Sequence, residues 1–150
     1  MIGPPTDGAR ATGEPAPPVI ERLAVVGTGL IGGSMALAAR AHGAARTIVV
    51  TDHDAAVRGL ATAMGLADVV APDICSAVRG ADLVVLAVPV RELLVTAHQA
   101  LECMDVHAVL TDVGSVKYRL TVSLEVPAGI TFVGGHPMAC LLYTSPSPRD

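Results

Sequence analysis

Tryptophan is absent from the 150-residue sequence, and one phenylalanine and two tyrosines are its only aromatic residues. A chain so poor in rings offers no stacking platform for single-stranded bases. Basic charge is not in excess either. Ten Lys and Arg stand against fourteen Asp and Glu, giving a formal net charge of −4. A phosphate-backbone binder needs a basic stripe, so no nucleic-acid partner is expected. Cysteine is scarce: Cys75, Cys103 and Cys140 are odd in number, widely spaced and form no CxxC pair. That pattern speaks against a disulfide framework or a zinc site. The three are read as reduced thiols of a cytoplasmic protein, and no metal is expected. The first residues lack the apolar stretch of a secretory signal. The uncharged run Leu23–Ala39 is shorter than the ~20 residues a bilayer span requires and is interrupted by glycines, so no membrane is expected.

What is present is aliphatic. Hydrophobic residues make up 51% of the chain and charged residues 16%, which excludes an intrinsically disordered protein. The length suits one domain. Residues 1–19 are rich in Pro and Gly and read as a disordered leader. Beyond them, continuous apolar runs alternate with helical patterns. The runs at Leu23–Val26, Thr47–Thr51, Leu83–Val88, Ala108–Asp112 and Ile130–Gly134, with a weaker one at Val69–Ala71, predict strands covered on both faces. Helices are expected over Leu30–His42, Ala55–Met64 (capped by Asp54), Asp73–Arg79, Val90–Glu102 and Val116–Glu125. Gly43, Gly65 and Gly80 mark the ends of the first three and Pro127 stops the last. Arg79 is expected in the last turn of its helix. Such alternation implies right-handed crossovers and an α/β fold: a Rossmann-type, doubly wound, mainly parallel sheet with helices on both faces. Residues 20–140 form this domain. Residues 141–150, LLYTSPSPRD from Leu141 on, break the pattern and read as a non-native tail, like the translation of a sequencing adapter.

The first strand runs into Gly27-Thr28-Gly29-Leu30-Ile31-Gly32, a G-x-G-x-x-G at a strand-to-helix junction. Gly27 permits the tight turn, Gly29 lets a diphosphate approach the backbone, and Gly32 lets the helix pack close to the strand. Free N–H groups of the first helical turn, including those of Leu30 and Ile31, then hold the phosphates at the positive end of the helix dipole. Asp52 ends the second strand 20 residues after the third glycine. An acid there accepts hydrogen bonds from the adenosine ribose and repels a 2′-phosphate, so NAD is favoured over NADP. Gly33-Ser34 follows without a lysine, which excludes a P-loop.

Ligands bind parallel sheets at the carboxyl ends of the strands. Val88-Pro89, Asp112 to Lys117, and Gly134-Gly135-His136-Pro137-Met138 stand there. Val88 and Pro89 open the chain over the cofactor. His136, between a flexible glycine pair and a rigid proline, is the candidate base among five histidines. His42, His53, His98 and His107 read as solvated. Ser115 is placed to cap a helix starting at Val116, to aim its hydroxyl at substrate, or both. Lys117 can supply charge to an anionic substrate, or be a solvated first-turn lysine. No G-x-S-x-G elbow is present, so serine-hydrolase chemistry is not expected.

Taken together, GTGLIGGS, the Asp52 strand end, VVLAVPV, DVGSVK and FVGGHPMA resemble the prephenate dehydrogenase family of tyrosine biosynthesis, over residues 21–139. The resemblance implies NAD-dependent oxidative decarboxylation of prephenate to 4-hydroxyphenylpyruvate. His136 would take the ring hydroxyl's proton and Ser115 would orient His136 or that hydroxyl. Ser115, Lys117 and His136 map onto the substrate site; Gly27, Gly29, Leu30, Ile31, Gly32, Asp52, Val88 and Pro89 map onto the cofactor site. The family also has a helical C-terminal domain that forms a homodimer and supplies an arginine for the substrate carboxylates. That domain is expected to be missing, and Cys140 stands where the family continues with glycine, so this chain is expected to bind NAD and turn over prephenate poorly or not at all. Competing readings are an arogenate dehydrogenase, another Rossmann dehydrogenase (a 3-hydroxyacid dehydrogenase or a pyrroline-carboxylate reductase), and a non-catalytic NAD-sensing module.

Overall fold

The computed structural model describes residues 19–137. The expected leader up to residue 18, Met138, Cys140 and the tail 141–150 lie outside the described residues. The order is β1 (Ile20–Val26), α1 (Leu30–Ala41), β2 (Ala45–Thr51), α2 (Ala55–Ala63), β3 (Val69–Val70), α3 (Ile74–Val78), β4 (Leu83–Leu86), α4 (Leu93–Leu101), β5 (Val109–Asp112), α5 (Tyr118–Ser123) and β6 (Thr131–Gly134). The six strands form one sheet in the order β3-β2-β1-β4-β5-β6, and every neighbouring pair is parallel. This is the doubly wound arrangement, with its reversal of strand order between β1 and β4.

Burial explains why the central strands read as apolar runs, whereas the edge strands β3 and β6, expected to be covered on both faces, are largely exposed. Along β1, Leu23 and Val25 join Ile48, Val50, Ala36 and Ala61 on the face covered by α1 and α2. Ala24 and Val26 join Leu86, Leu93, Ala97 and Leu110 on the face covered by α3, α4 and α5. Side chains alternate between faces with a period of two, and both faces are core. Gly43 (φ +59°) and Gly65 (φ +60°) take the left-handed conformation that lets α1 and α2 end sharply. Asp54 and Asp73 cap α2 and α3, accepting from the Ala56 and Ser76 amides at 2.7 Å each.

Several boundaries differ from expectation. β4 stops at Leu86, since after Ala87 donates to the Val26 carbonyl (2.7 Å) the chain turns away at Val88-Pro89. α4 begins at Leu93 instead of Val90, because a turn in which Glu92 N–H donates to the Pro89 carbonyl (2.8 Å) intervenes. α3 ends at Val78, which leaves Arg79 extended beyond its last turn. The reading of Cys75 and Cys103 as free thiols is corrected. Cys75 in α3 and Cys103 just past α4 are joined as a disulfide, with Cα atoms 5.2 Å apart. The two helices share one face of the sheet, and packing there unites residues 28 positions apart. Among the described residues no helix is long and apolar enough to cross a membrane.

Strand register positions the site. Val26 lies opposite both Thr51 and Leu86, Leu86 opposite Asp112, and Asp112 opposite Gly134. The carboxyl ends of five strands therefore stand level, and the loops carrying Gly27, Asp52, Val88, Ser115 and His136 leave the sheet along one edge.

Candidate cofactor and active site

The glycine turn is shaped by contacts that forbid a side chain at two of its glycines and leave the third open. Gly27 has φ +94°, and a Cβ there would lie 2.6 Å from the Ala87 carbonyl oxygen. A Cβ on Gly32 would collide with the Gly27 carbonyl and lie 2.9 Å from the Ala87 Cβ. Helix α1 can thus approach β1 and β4 this closely only without side chains at those positions. A Cβ on Gly29 meets nothing within 4 Å among the described residues. Its bareness serves no packing among them, which leaves the space over it for a ligand. Gly29 is the extended N-cap of α1 and uses no side chain to cap it. The first-turn amides therefore point out of the helix without intrahelical partners. Leu30 and Ile31 are exposed, with 89% and 48% of their surface accessible, which supports a lining role over a core one.

Asp52 braces this turn from β2. Its Oδ2 accepts from the Thr28 amide (2.8 Å) and hydroxyl (3.2 Å), and its Oδ1 accepts from the Asp54 amide (3.1 Å). Burial pushes its carboxyl up, but the hydrogen bonds from Thr28 and Asp54, helped by nearby His53, outweigh that and leave the pKa below the ordinary aspartate value. The group stays a carboxylate throughout the neutral range. His53, expected as plain surface, sits with Nδ1 3.1 Å from Asp52 Oδ1. Arg58 was not singled out by sequence. Its Nη1 donates to the carbonyls of Asp52 (2.7 Å) and His53 (3.1 Å), fixing the bend at the end of β2. An arginine six residues past the strand-end acid was the available signal.

On the other side of the switch point, the Asp112–Lys117 segment is organised by a buried ion pair that sequence reasoning missed. The Asp112 side chain is fully buried. Its Oδ2 accepts from the Gly114 amide (2.9 Å) and from Lys117 Nζ, while Nζ also donates to the Gly114 carbonyl (2.6 Å). The expectation of a solvated Lys117 gives way to this partnership. The pair also holds residues 113–117 as a loop. Helix α5 consequently starts at Tyr118 with Lys117 as its N-cap, and Ser115 caps nothing. Ser115 is exposed. The loop of His136 rests on this segment: a Cβ on Gly135 would lie 2.5 Å from the Asp112 carbonyl oxygen, and one on Gly134 would lie 3.5 Å from Lys117 Cδ.

The two halves face one cleft of about 580 Å3, lined by Gly27, Gly29, Leu30, Ile31, Asp52, Val88, Pro89, Gly114, Ser115 and His136 among others. A second hollow of about 790 Å3 adjoins it, sharing Gly27, Asp52, His53 and Val88, and runs on between Arg58, the start of α3 and the outer side of α4. Together they make a groove across the carboxyl edge of the sheet. Gly32 and Lys117 are the expected site residues that do not line it: Gly32 packs beneath the turn and Lys117 beneath the serine loop.

Comparison with known proteins agrees with this geometry. The family model described as the prephenate dehydrogenase nucleotide-binding domain matches residues 35–141. The chain belongs to the prephenate dehydrogenase family. It is 38% identical over 123 residues to a cyclohexadienyl dehydrogenase of Zymomonas mobilis, covering 81% of this chain and 42% of that protein. It is 34% identical over 122 residues to a prephenate dehydrogenase of Bacillus subtilis, covering 79% of this chain and 33% of that protein. The crystal structure of prephenate dehydrogenase from Aquifex aeolicus superposes with a TM-score of 0.69 at 33% identity, over 79% of this chain and 43% of that one. The same enzyme solved with hydroxyphenyl propionate and NAD+ superposes with a TM-score of 0.65 at 27% identity, over 79% of this chain and 42% of that one. The chain thus spans less than half the length of these relatives.

Proposed function

We propose that this chain is the nucleotide-binding part of an NAD-dependent dehydrogenase that oxidatively decarboxylates prephenate to 4-hydroxyphenylpyruvate. The observation that carries the reading is the single cleft in which the open glycine turn faces Ser115 and His136. The residues present suit a dinucleotide. First-turn amides of α1 would take the diphosphate over Gly29, Asp52 would accept the adenosine ribose hydroxyls, and Val88-Pro89 would bound the nicotinamide end. NAD, when bound, supplies the hydride acceptor. His136 accepts the proton of the ring hydroxyl as that carbon becomes a carbonyl, and Ser115 orients the hydroxyl or the imidazole. Loss of carbon dioxide from the quaternary carbon para to that carbonyl then aromatises the ring and makes the step irreversible.

Prephenate is a dianion, and Lys117, the cation nearest Ser115 in sequence, is committed to Asp112. Burying two carboxylates without paired cations is costly. A helical C-terminal domain, supplying an arginine and the homodimer contact, completes the site in this proposal. Substrates other than prephenate, arogenate foremost, would be distinguished by groups outside residues 19–137. A two-part experiment tests the reading. Isothermal titration of this chain with NAD reports the cofactor site. His136→Asn in a version extended with the remaining family domain reports the chemistry. The expected outcome is an unchanged NAD affinity with kcat down by about 100-fold or more and a modest change in KM. Unchanged kcat would favour a non-catalytic nucleotide-binding module.

A further inference from the structure

Cys75, one half of the Cys75–Cys103 disulfide, lies in the wall of the groove, at the end away from His136. The hollow there is bounded on one side by Pro72, Asp73, Ile74 and Cys75, and on the other by Thr96, Gln99 and Glu102 of α4 and its cap. If the dinucleotide lies as proposed above, with its diphosphate over Gly29 and its ribose at Asp52, this hollow receives the adenine. The disulfide ties together the two elements between which the base would enter. Helix α3 is only five residues long, and beyond the buried Ala77 and Val78 its start is held by the Asp73 cap and the partly buried Ile74. Both sulfur-bearing residues are partly accessible. An accessible disulfide, unlike a deeply buried one, exchanges with small thiols.

We propose that Cys75 and Cys103 form a reversible dithiol–disulfide site that sets the affinity of the adenosine end of the groove. The inference rests on the cofactor reading of that groove. Its chemistry is thiol–disulfide exchange with a small-molecule disulfide such as oxidised glutathione. One protein thiolate attacks a sulfur of the oxidant and expels one thiol, giving a mixed disulfide. The second protein thiolate then attacks the protein sulfur of that mixed disulfide, expels the second thiol, and leaves the Cys75–Cys103 bond. Two protein thiols are oxidised, one small disulfide is reduced to two thiols, and the two protons of the protein thiols end on those two small thiols. The oxidised form holds the pocket walls at their binding separation. The reduced form must order α3 against α4 when the adenine enters, which weakens binding.

The test uses the full chain with Cys140→Ser, so that a single pair of thiols remains. Peptide mapping by mass spectrometry follows the bond as oxidised and reduced glutathione are varied. NAD and ADP-ribose affinities are measured by titration in both states, and again for Cys75→Ser and Cys103→Ser. The expected result is a bond that forms and breaks reversibly, with both ligands binding about 3- to 10-fold more tightly in the oxidised state. Both serine variants should match the reduced state and ignore the oxidant. Equal affinities in the two states, or no Cys75–Cys103 linkage in oxidised glutathione, would overturn the proposal while leaving the cofactor reading intact. A chain that forms the bond yet binds neither ligand in either state would overturn the cofactor reading, and the affinity switch with it.

Discussion

Replacing Gly29 by alanine separates binding from folding more cleanly than any other change in the glycine turn. A Cβ at Gly29 meets no atom of the described residues within 4 Å, and its backbone (φ −65°, ψ −165°) is open to any residue. The folded state therefore gains no clash. Alanine is a poorer N-cap than glycine by up to about 1 kcal/mol. It also restricts the unfolded chain, which returns about 0.4–1 kcal/mol. The two effects nearly cancel, so Gly29→Ala should leave the urea midpoint almost unmoved. In the complex the new methyl group occupies the space through which the diphosphate reaches the first-turn amides. Losing one charge-assisted hydrogen bond costs about 1.5–3 kcal/mol, or about 10- to 100-fold in Kd. Gly32→Ala provides the contrast, since its Cβ would strike the Gly27 carbonyl. That overpacking should cost about 1–3 kcal/mol of stability in addition to affinity. Titration calorimetry and urea denaturation on both variants give the two readouts. Native NAD affinity in a stable Gly29→Ala protein would refute the reasoning, because the diphosphate could not then pass over that residue.

Further expectations concern the supports of the site. Lys117→Met strands the buried Asp112 carboxylate, whose Oδ1 has no hydrogen-bond partner among the described residues, and should destabilise the domain by about 3–5 kcal/mol. Adding Asp112→Asn should restore part of that loss in a double-mutant cycle, and a cost under about 1 kcal/mol for Lys117→Met would argue against the pair. Because the Asp52 pKa is lowered on folding, its contribution is fully present above the unfolded value near 3.8 and is lost as pH falls through the lower folded value. Urea titrations between pH 7 and pH 2.5 should therefore show a steeper acid decline for the native chain than for Asp52→Asn, and parallel curves would contradict the hydrogen bonding to Thr28. The disulfide closes a loop across a sequence separation of 28, so reduction should lower stability by about 3–4 kcal/mol, read from urea midpoints with and without reductant.

The sheet was legible because its central strands β1, β2 and β4 are buried on both faces, which turns each into an apolar run. The edge strands β3 and β6 were expected to be covered too but are largely exposed, and they were placed by their apolar residues alone. The glycine turn was legible for a related reason: G-x-G-x-x-G at a strand end has few other physical uses. Boundaries set by tertiary contacts were not legible. Nothing in Val90-Arg91-Glu92 announces that these residues form a turn on Pro89 before α4 begins. The Ser115 segment reads as a helix cap by its local chemistry, yet the Asp112–Lys117 ion pair bends it into a loop. An acid and a lysine five residues apart, bracketing Gly114-Ser115, were the signal for that pair. The Cys75–Cys103 bond depends on α3 and α4 packing side by side, and cysteine spacing does not encode that.

One groove, as proposed, holds a dinucleotide by the amides over Gly29 and presents its nicotinamide to His136. The most direct measurement is a crystal structure of the chain with NAD bound. Diphosphate oxygens within hydrogen-bond distance of the Leu30 or Ile31 amides, a ribose on Asp52, and a nicotinamide ring between Val88-Pro89 and the Ser115 and His136 loops are the predicted result. A dinucleotide bound elsewhere on the sheet, or one whose nicotinamide points away from His136, would contradict it.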